Sequence, residues 1–174
     1  MIRQTTTHLL LDAARMGSIM KVAQELNKEH SSLYKGRSEE ELAEVAPYIF
    51  AVQKNTPFGP WFIEKGWGNS WGIFLQSPAP GKDVYRHFRK FLLVKTEDGE
   101  ELYFRFYDPR VLRIFLPTCD QEQLIEFFGP VRHFFMEDED PEYGLYFWLE
   151  NGELKTQKSP KTELDKIFIS KSKV

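Results

Sequence analysis

The stretch Leu102–Leu116, LYFRFYDPRVLRIFL, constrains the fold most, because two incompatible periodicities meet inside it. Leu102, Phe104 and Phe106 alternate with Tyr103, Arg105 and Tyr107, the period of two that sends successive side chains to opposite faces of a sheet. Val111, Leu112 and Phe115 then recur at helical spacing. Between the two lies Asp108-Pro109. An Asp accepts hydrogen bonds from the first free N–H groups of a helix, and Pro suits the first helical position. A strand turning abruptly into a helix is therefore expected. Arg105, Asp108 and Arg110 crowd the same turn, which raises the question of whether these charges do chemistry or hold the fold.

The rest of the chain supplies partners for this element. His8–Ala13 and Tyr48–Val52 are short apolar runs that read as buried strands, and Trp71–Gln76 reads as a third. Helices are expected from Ser18 to about Asn27 with Ile19, Val22, Ala23 and Leu26 inward, from the Ser38–Glu41 capping box to about Val45, and after Thr56-Pro57 as far as Gly66. Asp83–Phe91 is amphipathic, with Val84, Phe88 and Phe91 on one face. Leu92–Lys95 pairs with Leu102–Tyr107 across the turn Glu97-Asp98-Gly99-Glu100. Asp120 and Gln123 form a capping box for a helix to Phe128, stopped by Gly129-Pro130. His133–Met136 is a further strand, Glu137–Pro141 a solvated acidic loop, and Asn151-Gly152 the turn of a closing hairpin. The pattern predicts an α/β fold: a mixed β-sheet with early β-α-β units and later antiparallel hairpins, helices packed on the sheet, in one domain over residues 1–174.

Charge and composition narrow the function. The 23 basic and 26 acidic residues are interleaved, with a net charge of −3, whereas a nucleic-acid surface shows a concentrated basic excess. No apolar run approaches the roughly 18 residues of a membrane helix, and no signal peptide is read at the N-terminus. Cys119 is the only cysteine, so neither an internal disulfide nor a multi-cysteine metal site is available, as suits a reducing, cytoplasmic setting. The lysines from Lys155 to Lys173 read as a solvated tail. Aromatic residues make 15% of the chain, enough for a packed core and for contact surface besides.

One string invites a catalytic reading. Gly68-Asn69-Ser70-Trp71-Gly72 matches the G-x-S-x-G nucleophile pattern, and Asp108 and His133 follow in hydrolase order. The chemistry requires a strand before the serine and a helix after it, to project the hydroxyl on a strained turn. Here the order is reversed. His8, His30, His87 and His133 lack metal-ligand spacing, and no phosphate-cradling glycine motif occurs, so no cofactor is expected. Arg110 sits near a positive helix terminus and gains nothing from the dipole, so it calls for an acidic partner, either inside the fold or on a bound protein.

In order, LLDAAR (10–15), SLY-G (32–36), APYIF (46–50), SWGIFLQSP (70–78), HFRKFLLVKTEDGEELYFRFYDPRVL (87–112) and FFGPV (127–131) resemble the type VI secretion adaptor proteins, or effector chaperones (Tap/TEC family), over about residues 9–131. The resemblance implies a non-enzymatic cytoplasmic protein that holds an effector and promotes its loading onto the VgrG spike. The matching positions are Asp12, Trp71, Gly72, Ser77, Arg105, Phe106, Asp108, Pro109 and Arg110, taken as a fold signature and as possible contact surface. Many members carry a further, mostly helical C-terminal lobe. Here the closing hairpin and lysine-rich tail (143–174) follow instead, so either the chain is a minimal adaptor or its recognition surface lies on the shared domain. Aromatics beyond one core's needs supply the candidate contacts: Trp61, Trp67, Tyr143, Tyr146 and Trp148, together with Arg110.

Overall fold

Leu9, Leu10 and Leu11 are all fully buried, which requires that the strand carrying them be covered on both faces. The computed structural model describes residues 5–36 and 41–167, the side chains of 165–167 excepted. That strand, β1 (Thr6–Asp12), lies inside a seven-stranded sheet with β2 (His30–Ser32), β3 (Pro47–Val52), β4 (Gly72–Ser77), β7 (His133–Glu137), β8 (Tyr143–Glu150) and β9 (Glu153–Pro160), in the order β2-β3-β1-β4-β7-β8-β9. Leu9 and Leu11 share one face with Phe50, Phe74 and Phe135, while Leu10 shares the other with Ile49, Ile73 and Phe134.

Helices cover each face. α1 (Ala13–Met16), α2 (Ile19–Leu26) and α3 (Phe58–Lys65) pack on the Leu9 side through Met16, Met20, Ala23, Phe58 and Phe62. α4 (Gly81–Arg89), α5 (Pro109–Phe115) and α6 (Gln121–Phe128) pack on the Leu10 side through Val84, Phe88, Leu112, Leu124 and Phe127. The fold is α/β as expected, but every pairing in the sheet is antiparallel, so the early strand-helix-strand segments are not parallel crossovers. β1 receives β3 and β4 on its two edges after long excursions.

Local differences have physical causes. The hairpin strands are β5 (Leu93–Lys95) and β6 (Glu101–Tyr103), a separate two-stranded ribbon. The chain leaves strand geometry after Tyr103, because the Asp108 N–H donates to the Arg105 carbonyl (3.0 Å) and folds 105–108 into a turn. Phe106 and Tyr107 are therefore buried consecutively rather than alternately. In α2 the buried residues are Met20 and Ala23, while Ile19, Val22 and Leu26 face solvent. Its rotation is set by Asn27, whose Nδ2 donates to the Ala51 carbonyl (2.8 Å) and turns the 20/23/27 side inward.

Ser18 is helical and makes no side-chain cap, and Thr56 bonds the Gln53 carbonyl instead of capping α3, which starts after Pro57. Residues 42–45 form turns, and Ser38–Glu40 of the expected capping box lie outside the described residues, as does the tail beyond 167. The expected caps at Asp108 and Asp120 and the Asn151-Gly152 turn are present; Asn151 and Gly152 both have positive φ (53° and 82°).

Candidate functional site

Asp12, Arg105, Asp108 and Arg110 form one chain of charges where the end of β1 meets the turn before α5. Asp12 caps α1 by accepting from the Arg15 N–H, and its Oδ2 accepts from Arg105 at 2.6 Å. Asp108 caps α5 through the Arg110 N–H (3.0 Å). The same carboxylate takes a two-pronged bond from the Arg110 guanidinium, Nε to Oδ1 at 3.0 Å and Nη2 to Oδ2 at 2.7 Å, and lies 3.3 Å from Arg105. The acidic partner that Arg110 calls for is thus its own helix cap.

The carboxylates are sealed at 1% exposure, whereas the two guanidinium side chains are 42% and 44% exposed. Burial works to raise the Asp108 pKa, but the hydrogen bonds and charge of Arg110, with Arg105, hold it below the usual carboxylate range. Burial and the Asp12 charge push the neighbouring Tyr107 phenol well upward.

A second polar knot adjoins this one. Glu137 is buried, with Oε2 accepting from the Gly68 N–H (2.7 Å) and Oε1 from both the Ser70 N–H and hydroxyl (3.0 Å each). The acidic run from 137 is therefore not wholly solvated; its first residue ties β7 to the loop before β4. Asp138 also pairs, with Lys158. Ser70 has positive φ (56°) and is buried, and its hydroxyl is held by Glu137. Asp108 is engaged by arginines, and the His133 Nδ1 is buried without a hydrogen-bond partner. The three residues in hydrolase order do not form a nucleophile–base relay.

The aromatic candidates are placed as follows. Trp67 is buried, donates its indole N–H to the Pro141 carbonyl (2.8 Å) and stacks on Phe135. Trp61 is half-buried between Phe58 and Trp71. Tyr146 stacks on Phe135 at 4.4 Å between ring centres, and burial pushes its phenol up to about 12. Trp148 is half-buried on β8, and Tyr143 is exposed under the Lys158 ammonium. Of the family-signature residues, Trp71 and Phe106 are in the two core clusters and Pro109 opens α5. Gly72 lies so close to the β1 backbone at Leu10 that no Cβ fits there, and the Ser77 hydroxyl donates to the Pro130 carbonyl (2.7 Å).

The β5–β6 ribbon was absent from the sequence-derived contact candidates. Leu93 (48% exposed), Val94 (37%), Leu102 (49%) and Tyr103 (58%) all face solvent, beside an acidic turn carrying Glu97, Asp98, Glu100 and Glu101. Leu93 pairs with Tyr103 and Val94 with Leu102, so both faces of the ribbon are apolar. Two adjacent apolar residues on each strand were the available signal. Tyr103 touches Tyr34 (5.9 Å between rings), which links the ribbon to the body near Asp12.

A family model described as a domain of unknown function (DUF4123) matches residues 7–126. The chain belongs to that family, which is associated with type VI secretion adaptor proteins. No curated protein and no solved structure matches the chain. No described helix is long and apolar enough to cross a membrane, and no cluster of potential metal ligands occurs among the described residues.

Proposed function

We propose that this protein is a non-enzymatic adaptor that binds a type VI secretion effector in the cytoplasm and promotes its loading onto the VgrG spike. Family membership supports the class of role, and the exposed ribbon carries the reading. A lone two-stranded hairpin is marginal in water, and one with apolar residues on both faces gains stability from a partner that covers it. Its acidic turn suits an effector surface with an apolar centre and a basic rim. The contact area extends along the chain from Tyr103 to the open faces of Arg105 and Arg110, with Tyr143 as a further contact. Trp61, Trp67, Tyr146 and Trp148 serve mainly the packing beneath.

Co-expression with the effector encoded by the neighbouring gene tests the reading. A stable complex is expected with the wild type, and its loss with Leu93→Asp/Leu102→Asp, whose folding should change by under about 0.5 kcal/mol because both sites are exposed. VgrG should be retained on an immobilised effector only when the adaptor is present. Absence of a co-purifying effector, or complexes unaffected by the double variant, would count against the assignment.

A further inference from the structure

A cavity of about 430 Å³ opens between the sheet and the first turn of α4, well along β1 from the charged chain at Asp12. Register places His8 opposite Ala51, on the face it shares with Ile49, and these three form the floor. Gly81, Lys82 and Tyr85 form the roof.

His8 is only 5% exposed, and its Nδ1 is shielded from solvent with no hydrogen-bond partner. Buried polar atoms are ordinarily paired, and an orphaned N–H is rarer than an under-used acceptor. The ring proton therefore belongs on Nε2. That nitrogen lies toward α4, where a Cβ added at Gly81 would come within 3.3 Å of it.

α4 meets this donor with two more. Pro80 precedes the helix and makes no side-chain cap, and its carbonyl takes the N–H groups of Asp83 and Val84. The N–H groups of Gly81 and Lys82 thus stand ahead of the first helical bond, at the positive end of the helix dipole. Lys82 and Lys28 also line the cavity and bring it two positive charges. The acidic neighbours are engaged elsewhere: Glu29 accepts from Gln53 (2.7 Å), and Asp83 lies 3.6 Å from Arg86.

We propose that this cavity binds an oxyanion, the phosphate or carboxylate group of a small ligand, between the His8 imidazole, the Gly81 and Lys82 N–H groups and the Lys82 ammonium. The apolar floor and the Tyr85 ring accept whatever small organic part the group carries. The site does not depend on the adaptor reading.

Titration of the isotope-labelled full chain with inorganic phosphate, and separately with acetate, tests it by NMR. Saturable shifts are expected at the Gly81 and Lys82 amides and the His8 imidazole, with affinity weakened at least fivefold in Lys82→Glu and in His8→Ala. Lys82 is exposed, so its variant keeps the test intact should His8→Ala fail to fold. Saturation by phosphate alone, acetate alone or both supports the proposal and tells which oxyanion fits. No saturable shift with either, or unchanged affinity in Lys82→Glu, overturns it.

Discussion

Asp108 concentrates a helix cap, a two-pronged bond from Arg110 and an ion pair with Arg105 on one buried carboxylate. Removing it uncaps α5 and takes from Arg110 the carboxylate it grips, while Arg105 keeps its 2.6 Å bond to Asp12. Asp108→Ala should cost about 3 kcal/mol in urea unfolding, whereas Arg110→Ala, whose side chain is half-exposed and whose loss leaves the cap in place, should cost about 1 kcal/mol. Equal losses would show that Arg110 anchors more than its cap; normal stability with lost effector capture would put it in the interface. At the neighbouring knot, Glu137→Gln replaces an acceptor facing the Gly68 N–H with a donor and should cost about 2 kcal/mol, while Ser70→Ala should cost about 1 kcal/mol. A fluorophosphonate probe should leave Ser70 unlabelled; labelling would reopen hydrolase chemistry. The Asp108-Pro109 cap was readable because cap chemistry is local. Glu137 was not, because its partner Ser70 is distant in the chain and it opens a run of acids that by itself reads as a solvated loop.

At the scale of elements, the same division between local and distant cause decides what sequence reveals. The Asp120/Gln123 capping box and the Asn151-Gly152 turn are complete within four residues and were legible. The rotation of α2 was not, since the bond that holds it runs from Asn27, at the helix end, to the distant Ala51 on β3 and leaves an apolar stripe outward. The ribbon likewise reads as an ordinary hairpin until its separation from the main sheet is seen. Gly129, which ends α6 with φ of 48°, is a further long-range joint: a Cβ there would strike the His87 ring, whose Nε2 is 2.7 Å from the Phe127 carbonyl. Gly129→Ala should therefore lower stability by more than the roughly 1 kcal/mol of a left-handed residue alone, measured as a drop in Tm beyond that of Gly99→Ala, where the surroundings are open.

Over the whole molecule, burial keeps the pKa of His8, His30, His87 and His133 below the ordinary imidazole value; Lys28 adds to this at His30 and Arg132 at His133, while the Phe127 carbonyl partly offsets it at His87. The unfolded chain takes up protons near pH 6.5 that the folded chain refuses, so this contribution to stability is whole above about pH 7 and declines as pH falls through about 6.5. Asp108 and Asp138 are also held below their ordinary values, because their hydrogen-bonded cations outweigh burial. Their contribution is present above about pH 4 and is lost on further acidification. Urea midpoints should be level between about pH 7 and 8, fall from about 6.5 to 5, and fall again below about 4; a midpoint unchanged between pH 7 and 5 would contradict the first step.

The central place of β1 also bears on how the chain reaches this state. Leu10 pairs with Ile49 on one side and Ile73 on the other, so neither edge of this strand is satisfied by anything nearby in sequence. Such non-local closure slows folding toward milliseconds to seconds. A nascent or truncated chain that stops before Gly72 has no partner for one edge of Leu9–Leu11, and in that interval it is a substrate for chaperones and for aggregation rather than a folded protein.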